Sequence, residues 1–535
     1  VLTPAGRGDL ALASASLALA APLLGSIVSV ISRRRSSPAR RQWSTDAALV
    51  GALAALVSTG IVLAGSPTSQ VATLPGGFHF GLVLSPFTVV IATLVTGIGA
   101  IVERFSVRYL RGDPTAGSFQ AAACLVVVGM AQVALAAGLV QLLASWLLAS
   151  FAFRRAASLR RDLPGIDRAT KRLGRAMVTA DAALVVAVVM VHVVRGHVSL
   201  TATQASVEGH LGILGVGAGA AVLAAALARS GTWPTSRWLS DAVAVPTPVS
   251  ALLHAGVANG GALLLLRLGP LVLDHRPLAE VAVALGTVGA VVGGALSRSR
   301  GDLKGQLAWS TSSQMSFVLV ECGLGLWPLA VVHLVTHACY KADRFLRSST
   351  LPPARLAPAA TVGPGRLAAG LLAGLATGLA ATVAARLDEV RGGDAFAVSV
   401  ALASLAAGIA LARRGSPSDV AKALATLLLV GAAAGSGIGL LASALPPLAL
   451  GHSTAELSPW LLLVPIVVGT LVTAALAWRP TRRLLLPMAV DLALARAVRP
   501  PSRRTGRADE LATGSWPRPS ALGAGRWSTT TEAAP

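Results

Sequence analysis

The chain has 535 residues, of which 54% are hydrophobic and 13% charged, against roughly 25% charged in a soluble domain, so a soluble globule is excluded. Its apolar runs are Ala, Leu, Val and Gly stretches of about twenty residues, the length of a helical membrane span and about twice that of a barrel strand. The net charge of +22 lies in short loops and in the C-terminal segment, where it orients the chain in a bilayer and does not mark a nucleic-acid surface. Cys124, Cys322 and Cys339 offer neither a disulfide framework nor a metal-ligand spacing.

In chain order, the first apolar stretch runs from Leu10 to Ile31 and is followed, not preceded, by a cluster of arginines from Arg33 to Arg41. That is the reverse of a cleaved signal peptide, so it reads as a first span. Further spans are expected at about 46–66, 82–102, 118–136, 138–152, 177–194, 209–228, 246–268, 279–296, 305–323, 328–346, 366–386, 395–412, 420–446 and 460–478. The expected fold is therefore an all-α polytopic membrane protein of about 13–15 transmembrane helices. Basic residues gather in alternate loops, which predicts a plasma-membrane protein with its N-terminus outside and its C-terminus cytoplasmic. Residues 1–478 form the expected membrane domain and 479–535 a basic cytoplasmic tail. In that tail, Pro480 to Val498 suits a short helix on the membrane surface, and Arg499 to Pro535 has a disordered composition.

Two regions concentrate polar residues at membrane depth. Between Ala228 and Leu273, a Ser-Gly-Thr-Trp-Pro sequence ends one apolar run, and Pro246 and Pro248 stand where the next helix would begin. Arg229, Asp241 and His254 therefore flank or occupy a broken helix, which a membrane tolerates only inside protein or beside water. An interfacial anchor for Arg229 and a packed core histidine at 254 are the plainer readings. Gly256, Gly260 and Gly261, with Asn259, read as close helix packing.

The second region, Val331 to Thr350, places His333, His337 and Lys341 four residues apart, so about 40° of drift per step keeps them on one helix stripe. Histidine titrates near neutrality and a buried lysine can lose its proton, so the stripe could pass protons. Lys341 is a rare choice, because the chain holds few lysines (Lys171, Lys304, Lys341, Lys422) among its 45 basic residues. The plainer reading is a lysine reaching the interface beside Arg344 and Arg347. Glu321, also in an apolar run, reads as a proton entry group or as a satisfied interfacial carboxylate.

The stretch WLSDAVAVPTPVSALLHAG, followed by DLKGQLAWSTSSQMSFVLVECGLG and HLVTHACYKADRFL, resembles the antiporter-like membrane subunits shared by respiratory complex I and the Mrp cation/proton antiporters. The likeness is strongest over 229–349. It implies a mid-membrane proton or cation path through Arg229, His254, His333, His337 and Lys341, with Asp181 as acidic partner; Asp241 and Glu321 join them as relay candidates from the residues alone. Within that superfamily the chain looks more like the DabB-type subunits of inorganic-carbon accumulation complexes, notably in HAGVANGGALLLLRL and in Leu147, which stands where the complex I subunit carries a glutamate.

That likeness implies a gradient-driven transport subunit, not itself an enzyme, working with a cytoplasmic zinc-bearing DabA-like partner. No cofactor is expected in this chain. The other readings are a proton-pumping subunit of an NADH-quinone oxidoreductase, of a membrane hydrogenase or of an Mrp antiporter, and a structural paralogue that conducts nothing. The stretch after Trp478 is too short for the lateral helix and further span of complex I subunit L, at 1.5 Å per helical residue. The family usually has lysine where this chain has Arg229. Arginine stays protonated, so it would act as a fixed charge, and a lysine restored there is expected to be tolerated.

Overall fold

The structure is a computed structural model that describes residues 3–31, 38–65, 67–160, 165–196, 198–200, 212–300 and 302–348. The spans expected at 366–386, 395–412, 420–446 and 460–478, and the C-terminal tail, lie outside the described residues. Two compact units divide the chain, Val1–Ala477 and Trp478–Pro535, and every described residue belongs to the first.

Long helices run antiparallel in sequence order: α1 (Pro4–Ile31), α2 (Pro38–Leu63), α3 (Pro86–Tyr109), α4 (Ala116–Leu135), α5 (Leu139–Ala157), α6 (Ile166–Arg195) and α7 (Gly212–Ser230). A broken pair follows, α8 (Thr247–Ala255) and α9 (Gly260–Leu268), then α10 (Arg276–Ser299), α11 (Leu303–Gly323) and α12 (Trp327–Arg347). Each expected span up to 328–346 overlaps a described helix, the one at 246–268 falling on the broken pair α8 and α9. Among the described residues, 8 helices are long and apolar enough to cross a membrane, with α8 and α9 counted as one. The chain is a multi-pass helical membrane protein. The hairpin helices α11 and α12 are not among those 8, because serines, threonines, histidines and charges interrupt their apolar faces.

Two expectations need correction. The third span was expected from residue 82, but residues His79–Leu84 form a strand, β2, paired antiparallel with β1 (Thr68–Thr73). Gly76 and Gly77, both at positive φ, make the turn between them. Helix α3 starts only at Pro86, where Ser85 and Thr88 form a reciprocal capping box. The hairpin continues sideways, because Leu82 bridges Ala136 and Gly138 bridges Ser199. Gln141 fastens this patch: its Oε1 accepts from Gly81 N (3.0 Å) and Ala137 N (3.2 Å), and its Nε2 donates to Gly81 O (2.9 Å).

The second correction concerns the broken helix. The break before Pro246 is present, with a one-turn helix at Arg237–Asp241 in the gap. A further break follows His254: Gly256 adopts φ −128°, ψ −78°, and a 3-10 turn over Val257–Asn259 leads into α9. A side chain at Gly256 would meet the Leu252 carbonyl at 2.7 Å, so this glycine serves the bend. Gly261 does serve helix packing, since a Cβ there would lie 2.3 Å from both Ala226 O and Ser230 Oγ of α7. The two halves pack differently: α8 lies against α12 and α3, and α9 against α7.

Ion pairs fasten the loops at the arginine-rich ends of the helices. Asp113, in the α3–α4 loop, accepts from Thr115 N (2.7 Å) and Thr115 Oγ1 (2.6 Å), and pairs with Arg160 (2.5 Å). Burial alone would raise the Asp113 carboxyl, but the Thr115 hydrogen bonds and the Arg160 hydrogen bond and charge outweigh it, leaving the group below its ordinary 3.8. A carboxylate depressed on folding stabilises at pH above its unfolded value and loses that contribution as pH falls through the folded one. The thermal midpoint in detergent, followed by tryptophan fluorescence, should therefore drop more steeply below about pH 4 in the wild type than in Asp113→Asn.

Candidate functional site

Helices α11 and α12 form an antiparallel hairpin whose register fixes the site. Asp302 caps α11 by accepting from Gly305 N at 2.6 Å. At the far end, Gly325 turns the chain at φ +71° and Leu326 N donates to Glu321 O (2.8 Å). Residues near 307–311 thereby face Lys341, and residues 314–321 face His333.

Lys341 is fully buried, and its ammonium donates to Leu307 O (2.8 Å) and Ser310 Oγ (3.0 Å). Both acceptors are neutral. The Leu307 carbonyl also accepts from Thr311 Oγ1 (3.0 Å), and that hydroxyl lies 3.1 Å from His254 Nδ1. Where Thr311 keeps its proton on Leu307, its oxygen accepts from His254 Nδ1–H, the tautomer that leaves a lone pair on Nε2; the reverse direction requires the other tautomer. His254 Nε2 has no hydrogen-bond partner, and the ring stacks on Phe345 at 4.3 Å. A hydrogen-bonded chain thus joins Lys341 on α12 to His254 on α8 through one carbonyl and one hydroxyl of α11.

His337 is buried in the same row, and neither of its ring nitrogens has a partner. Its ring stands 6.4 Å from that of His333, measured between centroids. His333 Nδ1 lies 3.0 Å from Glu321 Oε1, and Nε2 lies 2.8 Å from Gln314 Oε1. Both nitrogens face side-chain oxygens as placed, and turning the Gln314 amide over would offer Nε2 a donor in place of its oxygen. Glu321 is buried at this end of the hairpin, beside the partly exposed His333.

Arg229 stands in a second cluster. It is fully buried at the end of α7, with its guanidinium 4.0 Å over the Trp146 ring of α5. Its Nη1 donates to Ser150 Oγ at 2.6 Å and touches Met177 Sδ. Ser150 Oγ in turn donates to Asp181 Oδ1 of α6 at 2.6 Å. Charge is balanced through a hydroxyl, not by direct contact. Leu147 packs against the core nearby without a polar role.

The structure thus brings Lys341, His254, His337, His333 and Glu321 into one row, and Arg229 and Asp181 into another. Asp241 joins neither: it pairs with Arg172 at 2.6 Å, partly exposed, and ties the Arg237–Asp241 turn to α6. That exposed cation on α6 is its nearest opposite charge, which the sequence spacing did not reveal. Sequence reasoning missed Ser150, Trp146, Ser310, Thr311 and Gln314. A signal existed for three of them, in the run of small hydroxyl residues and Gln314 on α11; Ser150 and Trp146 depend on helix packing. Among the described residues no group of three or more His, Cys, Asp or Glu stands ready to hold a metal ion.

Comparison with known proteins gives the chain's relatives. Residues 120–355 match the family model for the transmembrane part of NADH:quinone oxidoreductase and Mrp antiporter subunits, and residues 74–120 match the N-terminal model of complex I chain 5. The chain belongs to this antiporter-like superfamily. Curated members similar to it include the "Probable inorganic carbon transporter subunit DabB2" of Halothiobacillus neapolitanus, 32% identical over 63% of each chain. The DabB subunit of Bacillus anthracis is 31% identical over 48% of this chain and 51% of its own. In both, less than two thirds of the relative's length is matched. The NADH-quinone oxidoreductase subunit L of Mycobacterium tuberculosis is 29% identical over 63% of this chain and 55% of its own. Among solved structures, the Mrp complex from Dietzia sp. aligns over 93% of this chain and 58% of its own, with TM-score 0.63 and 23% identity, which shows the antiporter-like fold.

The contacts of Arg229 revise one expectation. A lysine there keeps the charge but loses the planar stack on Trp146 and the fork toward Ser150 and the Trp146 carbonyl. Hydrogen bonds of a buried charged group are worth about 1.5–3 kcal/mol each. Arg229→Lys should therefore lower both the thermal midpoint in detergent and the transport rate; a variant as stable and active as wild type would mean that only the charge matters.

Proposed function

We propose that this chain is the membrane subunit of an energy-coupled inorganic-carbon uptake complex, conducting protons or cations to drive a cytoplasmic partner that converts carbon dioxide to bicarbonate. It lies in the plasma membrane with its N-terminus outside and its C-terminus in the cytoplasm. The observation that carries the transport part is the burial of Lys341 on neutral acceptors, within a row that includes the unpartnered nitrogens of His254 and His337. Among the described residues no carboxylate contacts the ammonium, so no described counter-ion holds its proton. A histidine without a partner can receive a proton and pass it on. His333 and Glu321 supply the mouth of the row near the Gly323–Trp327 end.

The carbon part rests on similarity to the DabB subunits. The hydration chemistry belongs to a zinc-bearing DabA-like partner, whose metal would polarise water into a nucleophile at neutral pH. This chain's contribution is the path for the driving ion and an arginine-rich inner face able to steer an acidic partner. The similarity to subunit L favours a second reading, a redox-driven pump built on the same row.

Lys341→Ala should abolish coupled activity while the protein still inserts and accumulates. Lys341→Arg should fail as well, because a guanidinium does not release its proton. Full activity of the arginine variant at matched membrane abundance would overturn the relay. For the carbon assignment, the chain is expressed with and without an adjacent DabA-like reading frame in a host that lacks carbonic anhydrase. Growth in ordinary air should return only with the pair and vanish with an uncoupler. Rescue by this chain alone, or copurification with quinone-reducing subunits, would overturn it.

A further inference from the structure

Glu103 belongs to neither cluster. It lies on α3, 0% exposed, with no described cation pairing to it. Its Oε1 has one polar neighbour, Cys124 Sγ of α4 at 3.7 Å, and its Oε2 has none. No charged or titratable group on the surrounding elements other than Cys124 makes a described contact with it. Arg104 and Arg108 of its own helix and Asp46 of α2 are exposed. On α8 and α12, which pack against α3, His254 and Lys341 bond to Thr311, Leu307 and Ser310, and His337 has no hydrogen-bond partner. His79 of β2 faces Thr73.

An ionised carboxylate in that seam would hold a full charge against a single weak thiol donor, an arrangement that buried acids avoid by taking up a proton. A neutral carboxyl has only ordinary polar atoms to satisfy. We propose that Glu103 is a proton-binding site apart from the Lys341 row, held as the carboxylic acid between α3 and α4. One proton taken from solvent sits on Oε2, and the Cys124 thiol donates to Oε1. The site is independent of the transport reading, since it follows from the contacts of Glu103 alone.

The test is infrared spectroscopy of the full chain in lipid nanodiscs at neutral pH, with and without carbon-13 glutamate. The wild type should show a carboxylic-acid carbonyl band that shifts on labelling and is lost in Glu103→Gln. The same band should move to higher frequency in Cys124→Ala, which removes the thiol donor. Glu103→Gln, close in shape to the neutral acid, should accumulate at the wild-type level. Loss of a carboxylate band in place of the acid band would overturn the proposal, as would a labelled wild type with no acid band. If Glu103→Gln failed to accumulate while Glu103→Asp did, the group would be acting as an ion, and the proposal would fall. An acid band unmoved in Cys124→Ala would refute the thiol contact.

Discussion

A lysine ammonium buried on neutral oxygens governs the arrangement of α11 and α12. In a medium without bulk water, every charge and every backbone group has to find its partner inside the protein. Lys341 finds its own in a backbone carbonyl, Leu307, and a hydroxyl, Ser310. The carbonyl already belongs to the α11 ladder, so the lysine and the Thr311 hydroxyl share the side of that oxygen that a helix normally leaves idle. Thr311 shares that oxygen and carries the contact on to His254. The hydroxyl content of α11 follows from this, since an apolar α11 would leave the ammonium with one acceptor and His254 with none.

That geometry also explains the broken helix. His254 ends α8, and the chain then bends at Gly256 before α9 begins. A continuous helix would hold both halves to one line. The bend lets α8 lie against α12 while α9 packs on α7, where Gly261 admits Ala226 and Ser230 at a distance no larger residue allows. Ser230 Oγ donates to Ala258 O at 2.9 Å, satisfying a carbonyl in the 3-10 turn. The break therefore spaces two clusters that a straight helix would misalign.

How much of this was legible in the sequence depends on whether a feature was local. The spans, the His-His-Lys stripe and the resemblance that names Arg229, His254 and Lys341 rest on residue spacing within single segments, and the described helices match the spans. The β1–β2 hairpin was missed because its residues are apolar enough to extend the neighbouring span, although the Gly76–Gly77 turn marked it. The bend at Gly256 was hidden because a glycine beside Gly260 and Gly261 looks like packing. Partners across helices, such as Ser150 for Arg229 or Arg172 for Asp241, are separated by 79 and 69 residues. No local pattern selects them.

The two clusters differ in what their charges can do. Arginine does not give up its proton, so Arg229 acts as a fixed cation, with Asp181 reached through Ser150. The Lys341 row, by contrast, sets an amine on two neutral acceptors beside imidazole nitrogens that have no partner among the described residues. Between them lies the Gly256–Asn259 bend, and on it and on either side stand buried polar atoms with no protein partner: Arg229 Nε, Asn259 Oδ1 and His254 Nε2. Buried groups of that kind are ordinarily completed by ordered water. Water completing these atoms would stand between the Arg229 cation and the His254 ring.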